Sequence, residues 1–344
     1  MPSKKVIKPK KQINLAINGF GRIGRAAFKI ALKNPNLKIV AINDLVDNAT
    51  LAHLLKYDSV YGRYDKNIKS DSKNIYVDKT KYPVFAEMDP AKLPWKKYEV
   101  DVVLECTGRF VKDGAAKAHH KAGAQKVILS APAKGKPEIP TYLIGVNTDK
   151  YKGEEIISNA SCTTNCIAPV TKVIDENFGI KSAFLNTIHS YTADQNLVDG
   201  PHRDLRRARS AAHNIIPTTT GATIAVTKII PKLEGKFEGV ALRVPTICGS
   251  ISDLTFLVRT KTTAKQVNSV LKKASRSKEL KNILNTSDEP LVSSDIIGSE
   301  YSAIVDLQST QVLNETLIKV LAWYDNEWAY SHRLVEMIEI VMKK

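Results

Sequence analysis

Ile13-Asn14-Leu15-Ala16-Ile17-Asn18-Gly19-Phe20-Gly21-Arg22-Ile23-Gly24-Arg25 is the stretch that decides the fold. Ile13 to Ile17 reads as a short buried strand, and a helical pattern runs from Arg22 to about Lys33, where Asn34-Pro35-Asn36 stops it. Leu37 to Asn43 is the next strand. A strand, helix and strand that close within about thirty residues make the βαβ crossover of a parallel sheet. Between strand and helix lies G-x-G-x-x-G, in which Gly19 permits a tight turn, Gly21 lets backbone approach a pyrophosphate, and Gly24 lets helix and strand pack closely. The helix N-terminus then offers free N–H groups to the phosphates. Asp44 ends the second strand, placed to accept hydrogen bonds from adenosine ribose hydroxyls, and its charge repels a 2′-phosphate. NAD is therefore expected over NADP. The plainer reading, a βαβ turn that binds nothing, needs strand, turn, helix, strand and acid to fall into register by chance.

Outward from this unit the rhythm continues: Val100 to Glu105 as a strand, a helix across Gly114 to Ala122, Lys126 to Ser130 as another strand. After Asn165 comes a helix, and then strands alternate at Gly239 to Val244, Asp253 to Val258 and Thr316 to Tyr324, with a basic helix from Thr263 to about Leu284. The expected fold class is α/β: a Rossmann-type doubly wound sheet, then an α+β catalytic domain on a mixed or antiparallel sheet. The divisions are a basic arm over 1–12, a cofactor domain over 13–160, a catalytic domain over 161–330, and a last amphipathic helix, 331–344, that packs back on the first domain.

Composition bounds the rest. With 344 residues, 43% apolar and 25% charged, and only 17 Gly and 15 Pro, the chain is a packed protein of about two domains rather than a disordered or collagen-like one. No run approaches the roughly 18 apolar residues of a membrane span, and the lysine-rich start has no apolar core of a signal peptide, so the expected compartment is the cytoplasm. Cys106, Cys162, Cys166 and Cys248 are too sparse for a disulfide scaffold. The net charge of +16 favours anionic partners, and five of those charges sit on the arm, which reads as a solvated segment.

Ser158-Asn159-Ala160-Ser161-Cys162-Thr163-Thr164-Asn165-Cys166 sets small polar residues before an apolar helical run, which puts Cys162 at a helix N-terminus. There the helix dipole and free N–H groups favour a thiolate nucleophile. His189, at the end of an alternating strand beside Ser190 and Thr192, is the candidate base. Spacing alone also allows a buried cysteine and a satisfied core histidine. Zinc is not expected, because no second Cys/His pair follows Cys162 and Cys166 at ligand spacing. Arg203, Arg206, Arg207 and Arg209 crowd one short stretch, and Thr218-Thr219-Thr220-Gly221 follows; guanidinium, hydroxyl and glycine N–H together suit phosphate. Arg243, alone in an apolar strand, is either an ion-pair partner at an interface or a charge facing a ligand. No aromatic interleaves Pro201 to Lys236, so nucleic acid is not the expected main partner.

Together NGFGRIGR (18–25), SNASCTTNC (158–166), HSYT (189–192), DLRRAR (204–209), NIIPTTTGA (214–222), RVP (243–245) and WYDNE (323–327) resemble phosphorylating glyceraldehyde-3-phosphate dehydrogenase in order and spacing, from about Ile13 to Met342. The resemblance implies a glycolytic, NAD-dependent enzyme that oxidises glyceraldehyde 3-phosphate and joins it to inorganic phosphate, through a hemithioacetal and thioester on Cys162 with His189 as base. It implies Thr192 and Arg243 for the substrate phosphate, and Ser161, Thr163, Arg207, Thr220 and Gly221 for the attacking phosphate, with Arg206 and Arg207 as alternatives for the inward arginine. Ser130 would line the cofactor cleft, Asn326 would orient the carboxamide, and the assembly would be a homotetramer. Met88, Cys106 and Ala329 depart from the usual arginine, serine and glycine. Erythrose-4-phosphate dehydrogenase shares the cysteine motif but needs no attacking-phosphate site. A secondary polyanion-binding role for the arm and the basic helix is the reading from a different class.

Overall fold

The computed structural model describes residues 12–343, so the basic arm, Gln12 apart, falls outside the described residues. The chain runs β1 (Ile13–Asn18), α1 (Arg22–Ala31), β2 (Leu37–Asn43), α2 (Asn48–Lys56), then the short strands β3 (Tyr57–Asp58), β4 (Gly62–Arg63), β5 (Ile68–Ser70), β6 (Asn74–Val77) and β7 (Thr80–Phe85). It continues with β8 (Val102–Glu105), α3 (Ala118–Lys121), β9 (Lys126–Leu129) and β10 (Ile156–Ser158). Among the described residues these form a sheet in the order β10-β9-β8-β1-β2-β7-β6-β5, parallel from β10 to β7 and antiparallel beyond. The central strands are buried on both faces and read as continuous apolar runs, as in Leu15, Ala16 and Ile17 or Val102 to Leu104.

The second half is α4 (Cys162–Phe178), β11 (Ile180–Ser190), β12 (Ile216–Thr219), α5 (Ala222–Ile229), β13 (Phe237–Val244), β14 (Ser250–Val258), α6 (Ala264–Ser275), β15 (Leu284–Ser287), β16 (Ala303–Leu313), β17 (Leu317–Tyr324) and α7 (Trp328–Met342). Its sheet is mixed, in the order β12-β13-β11-β14-β17-β16-β15, with β11 and β13 parallel. Helices α4, α5 and α6 bury one face of it around Ile167, Val170, Ile174, Val226 and Leu271. The last helix, α7, returns to the first sheet and packs on α1, where Leu334, Met337 and Ile338 join Phe28 and Ile30.

Two elements differ from expectation. The basic helix ends at Ser275 rather than near Leu284, because Leu280, Ile283 and Leu284 leave the helical path to enter the core and Leu284 pairs with Ala303. The segment 114–122 is a tight 3-10 turn followed by the single turn α3. The strands between Tyr57 and Phe85, not foreseen, are short: β7 pairs with β2 and carries β6 and β5 as the antiparallel edge, whereas β3 and β4 pair only with each other.

Candidate active site

The three glycines of the turn meet three different surroundings. Gly19 has φ +92°, and a Cβ there would lie 2.7 Å from the Thr107 nitrogen; one on Gly24 would lie 2.0 Å from the Gly19 oxygen. At Gly21 a Cβ would meet nothing within 4 Å, so this is the open side of the turn. The first amide of α1 with a helical acceptor is that of Arg25, bonded to Gly21 O at 3.0 Å, which leaves the N–H groups of Arg22, Ile23 and Gly24 at the helix mouth. The Arg22 side chain is already committed, with Nε donating to both Glu327 oxygens at 3.0 Å and Nη1 to Asp58 at 2.7 Å. Only its main chain faces a ligand. Asp44 closes the other side: Oδ2 accepts from Phe20 N at 2.6 Å and Oδ1 from Val46 N at 3.1 Å. Between them lies a cleft lined by Gly21, Asp44, Leu45, Met88, Thr107 and Phe110, with the Met88 side chain at its exposed rim. Ser130 is half-buried just after β9, and Asn326 lies just before α7. Asn326 is 5% exposed, and its Oδ1 accepts from Gly249 N at 3.2 Å and Ser250 Oγ at 2.9 Å, which turns its NH2 end away from both.

Ser161 caps α4, its Oγ accepting from Thr164 N at 3.1 Å, so Cys162 is the first helical residue. Sheet register does the rest. His189 of β11 pairs with Arg243 of β13, and the preceding Ala160 takes φ +53° to swing the chain from β10 into α4. Cys162 Sγ lies 3.4 Å from His189 Nε2. The ring's Nδ1 is 2.6 Å from Ser190 O, an acceptor, and 2.8 Å from Arg243 Nη1, a donor. With the hydrogen on Nδ1, toward Ser190 O, Nε2 presents its lone pair to the thiol. Burial and the neighbouring Arg243 charge hold the His189 pKa down to about 3, so the imidazole is neutral.

The thiol corrects an expectation. Burial pushes the Cys162 pKa up, and the Arg243 charge with the Thr163 N–H pulls it back only in part, so the helix N-terminus does not by itself give a resting thiolate. Cys166, one turn on, is fully buried and its thiol donates to Ala322 O at 3.7 Å, a core position. The Thr163 hydroxyl lies 3.0 Å from Tyr324 OH, which lies 2.9 Å from Thr187 Oγ1, and the Thr163 hydroxyl and N–H both reach the Cys162 sulfur. Tyr324 had no role in the sequence reading, although it lies in the WYDNE motif. Its hydroxyl ties α4 to β11 beneath the cysteine.

Of the arginines, Arg207 turns inward and Arg206 outward. Arg207 donates through Nε to Thr218 Oγ1 at 3.0 Å, through Nη2 to Thr219 O at 3.2 Å and through Nη1 to Asp194 at 2.5 Å, whereas Arg206 is exposed and reaches only Pro217 O at 3.4 Å. Asp194 was the other residue missed; its signal is a lone acid two positions after Thr192 in a hydroxyl-rich loop. Thr192 is half-buried at the start of that loop, and Thr220 and Gly221 precede α5, with Thr220 Oγ1 accepting from Ala222 N at 3.2 Å. Arg243 donates to Ser190 O at 3.1 Å, and its Nε is buried with no hydrogen-bond partner among the described residues. Arg207 is close enough to lower the pKa of both His189 and Arg243. Among the described residues no group of three or more His, Cys, Asp or Glu could hold a metal, and no helix is long and apolar enough to cross a membrane.

Two family models match the chain. Residues 13–113 match the glyceraldehyde 3-phosphate dehydrogenase NAD binding domain, and 161–326 match the glyceraldehyde 3-phosphate dehydrogenase C-terminal domain. The chain is 52% identical over 334 residues to glyceraldehyde-3-phosphate dehydrogenase of Geobacillus stearothermophilus, covering 96% of this chain and 99% of that protein. It is 54% identical over 332 residues to the Thermotoga maritima enzyme of that name, covering 96% and 99% respectively. Glyceraldehyde-3-phosphate dehydrogenase 1 of Bacillus subtilis is 50% identical over 334 residues. With a glycine turn built for a dinucleotide, a cysteine against a neutral histidine, and half-identity over nearly its whole length, the chain belongs to the glyceraldehyde-3-phosphate dehydrogenase family.

Proposed function

We propose that Cys162 is the nucleophile and His189 the base of an NAD-dependent oxidation of D-glyceraldehyde 3-phosphate to 1,3-bisphosphoglycerate. The observation that carries the reading is the Cys162 Sγ to His189 Nε2 distance of 3.4 Å, beside an arginine whose buried Nε has no partner. The residues fit the cofactor. Gly21 offers open space where a pyrophosphate would lie, Arg22 and Ile23 offer N–H groups, Asp44 would hold the ribose, Ser130 would line the cleft, and the NH2 of Asn326 would fix the carboxamide. When bound, NAD supplies the hydride acceptor.

The chain's own groups do the remaining work. Cys162 Sγ attacks the aldehyde carbon as His189 Nε2 takes the thiol proton, and the carbonyl oxygen, protonated in turn, becomes a hemithioacetal hydroxyl. His189 then removes the hydroxyl proton as hydride departs, which leaves a thioester on Cys162. A phosphate oxygen attacks the thioester carbon, and the cysteine leaves with a proton returned from His189. Thr192 and Arg243 would grip the substrate phosphate, and Ser161, the Thr163 N–H, Arg207, Thr220 and Gly221 the incoming one. Cys162→Ala is expected to lower kcat by roughly 10⁴-fold or more in NADH formation. Wild-type activity in that variant refutes the mechanism.

The division into 13–160 and 161–330, with the last helix on the first part, is supported by β10 ending at Ser158 and by α7 packing on α1. A homotetramer is supported by apolar side chains left uncovered on the open sheet face, Phe184 and Val240, and on the arginine loop, where Leu197 is 77% and Leu205 81% exposed. Light scattering tests it. Four free cysteines suit the cytoplasm.

A further inference from the structure

Beneath the glycine turn lies a buried polar chain that the chemistry does not use. Asn43, Asn18 and Glu105 end three neighbouring parallel strands in register. Asn43 Nδ2 donates to Asn18 Oδ1 at 2.7 Å, and Asn18 Nδ2 donates to Glu105 Oε2 at 2.5 Å. On the far side Trp95 Nε1 donates to His119 Nδ1 at 3.0 Å. An indole N–H can only donate, so Nδ1 is the acceptor and the hydrogen sits on His119 Nε2, which donates to Glu105 Oε2 at 3.0 Å. Thr107 adds its N–H at 2.8 Å and its hydroxyl to Glu105 Oε1. Four side-chain or main-chain groups therefore converge on one carboxylate that is 1% exposed, against a histidine that is 0% exposed.

Because Glu105 only accepts and Trp95 only donates, the direction of every link is fixed, and neither amide can turn over without opposing like atoms. What the chain holds is the cofactor cleft. Thr107 packs on Gly19, and Asn43 accepts from Glu87 N at 2.9 Å and donates to Glu87 O at 2.9 Å, which pins the loop that carries Met88. Asn18, Asn43, Glu87 and Thr107 all line that cleft. A buried carboxylate is costly, and apolar side chains of similar volume usually stabilise a fold as well or better. Its partners here are the cleft walls.

We propose that Glu105, oriented by His119 and Trp95, is a positioning residue for NAD: it sets the Thr107 turn and the Glu87 loop at the spacing the adenosine end requires. The proposal rests on the reading that the adenosine lies between Gly21 and Asp44. Glutamine at 105 places an NH2 against a donor whichever way its amide turns. In the full-length enzyme, Glu105→Gln is expected to raise the calorimetric Kd and the KM for NAD at least tenfold, with kcat at saturating NAD and KM for the aldehyde within twofold of wild type. Trp95→Phe, remote from the cleft, frees the His119 tautomer and is expected to raise the Kd about threefold. A role in folding alone would lower the melting temperature and leave the Kd unchanged in the folded protein, and that result overturns the proposal. If Glu105→Gln does not fold, Trp95→Phe decides on the same criterion. Asp44→Ala separates the two readings. A weakened Asp44→Ala beside an unchanged Glu105→Gln removes this proposal alone, and an unchanged Kd in both removes the adenosine site with it.

Discussion

The two proposed anion sites, at the glycine turn and beside Cys162, are built from different materials. At the glycine turn the donors are main-chain N–H groups placed by six consecutive residues, and the one nearby guanidinium, Arg22, is consumed by Glu327 and Asp58. At the catalytic end the donors are Arg207 and Arg243, far apart in sequence and joined through the pairing of β12 with β13 and of β13 with β11. The first end is sensitive to a single methyl group and indifferent to side-chain charge. The second depends on charge, and its two arginines differ: Arg207 already has Asp194, whereas Arg243 keeps a buried donor without an acceptor.

The sharpest break in this comparison is Gly24→Ala. Its Cβ would sit 2.0 Å from a backbone oxygen, so it is expected to cost about 3 kcal/mol or more in denaturant unfolding. Gly21→Ala at the open position should leave stability within about 0.5 kcal/mol and weaken NAD binding instead. At the other end, Arg243→Leu is expected to lower kcat/KM for the aldehyde roughly 10²- to 10³-fold. It should also slow alkylation of Cys162 by iodoacetamide at pH 7.5, because the charge that partly offsets burial is gone. Arg207→Gln should raise the KM for phosphate roughly tenfold, the loss of one charge-assisted contact, with the Kd for NAD unchanged.

A further effect is on acid stability. Folded His189 takes a proton only near pH 3, while an unfolded histidine takes one near 6.5, so stability is lost as pH falls through that interval. Thermal melts from pH 7 to 4 should show a shallower decline for His189→Gln than for the wild type. An equal slope would mean that the ring is not excluded from protonation.

What could be read in advance follows the same division. The glycine turn, Asp44 and the placement of Cys162 at a helix start depend on neighbours within a few residues, and local pattern carried them. Arg207 against Arg206 could not be separated by pattern, since both occupy one loop and only the Thr218 and Asp194 contacts choose between them. Asp194 and Tyr324 act through hydrogen bonds to residues distant in sequence, which leave no periodic trace. The state of the thiol follows the same rule: a helix start is visible in sequence, but the burial that pushes the Cys162 pKa up comes from packing. The end of α6 likewise answers to the core that receives Leu280 and Leu284, not to helix propensity.

Helix α7 is made after both sheets and packs on α1, which is made before all but one of their strands. During synthesis the nascent cofactor-binding half therefore waits with Phe28 and Ile30 lacking their partners until Met337 and Ile338 clear the ribosome, although its own parallel sheet is complete by β10. Vectorial folding from the N-terminus, the common order for chains of several domains, cannot finish this one early. A chain stalled before Trp328 leaves uncovered the apolar face of α1 that α7 buries in the finished protein.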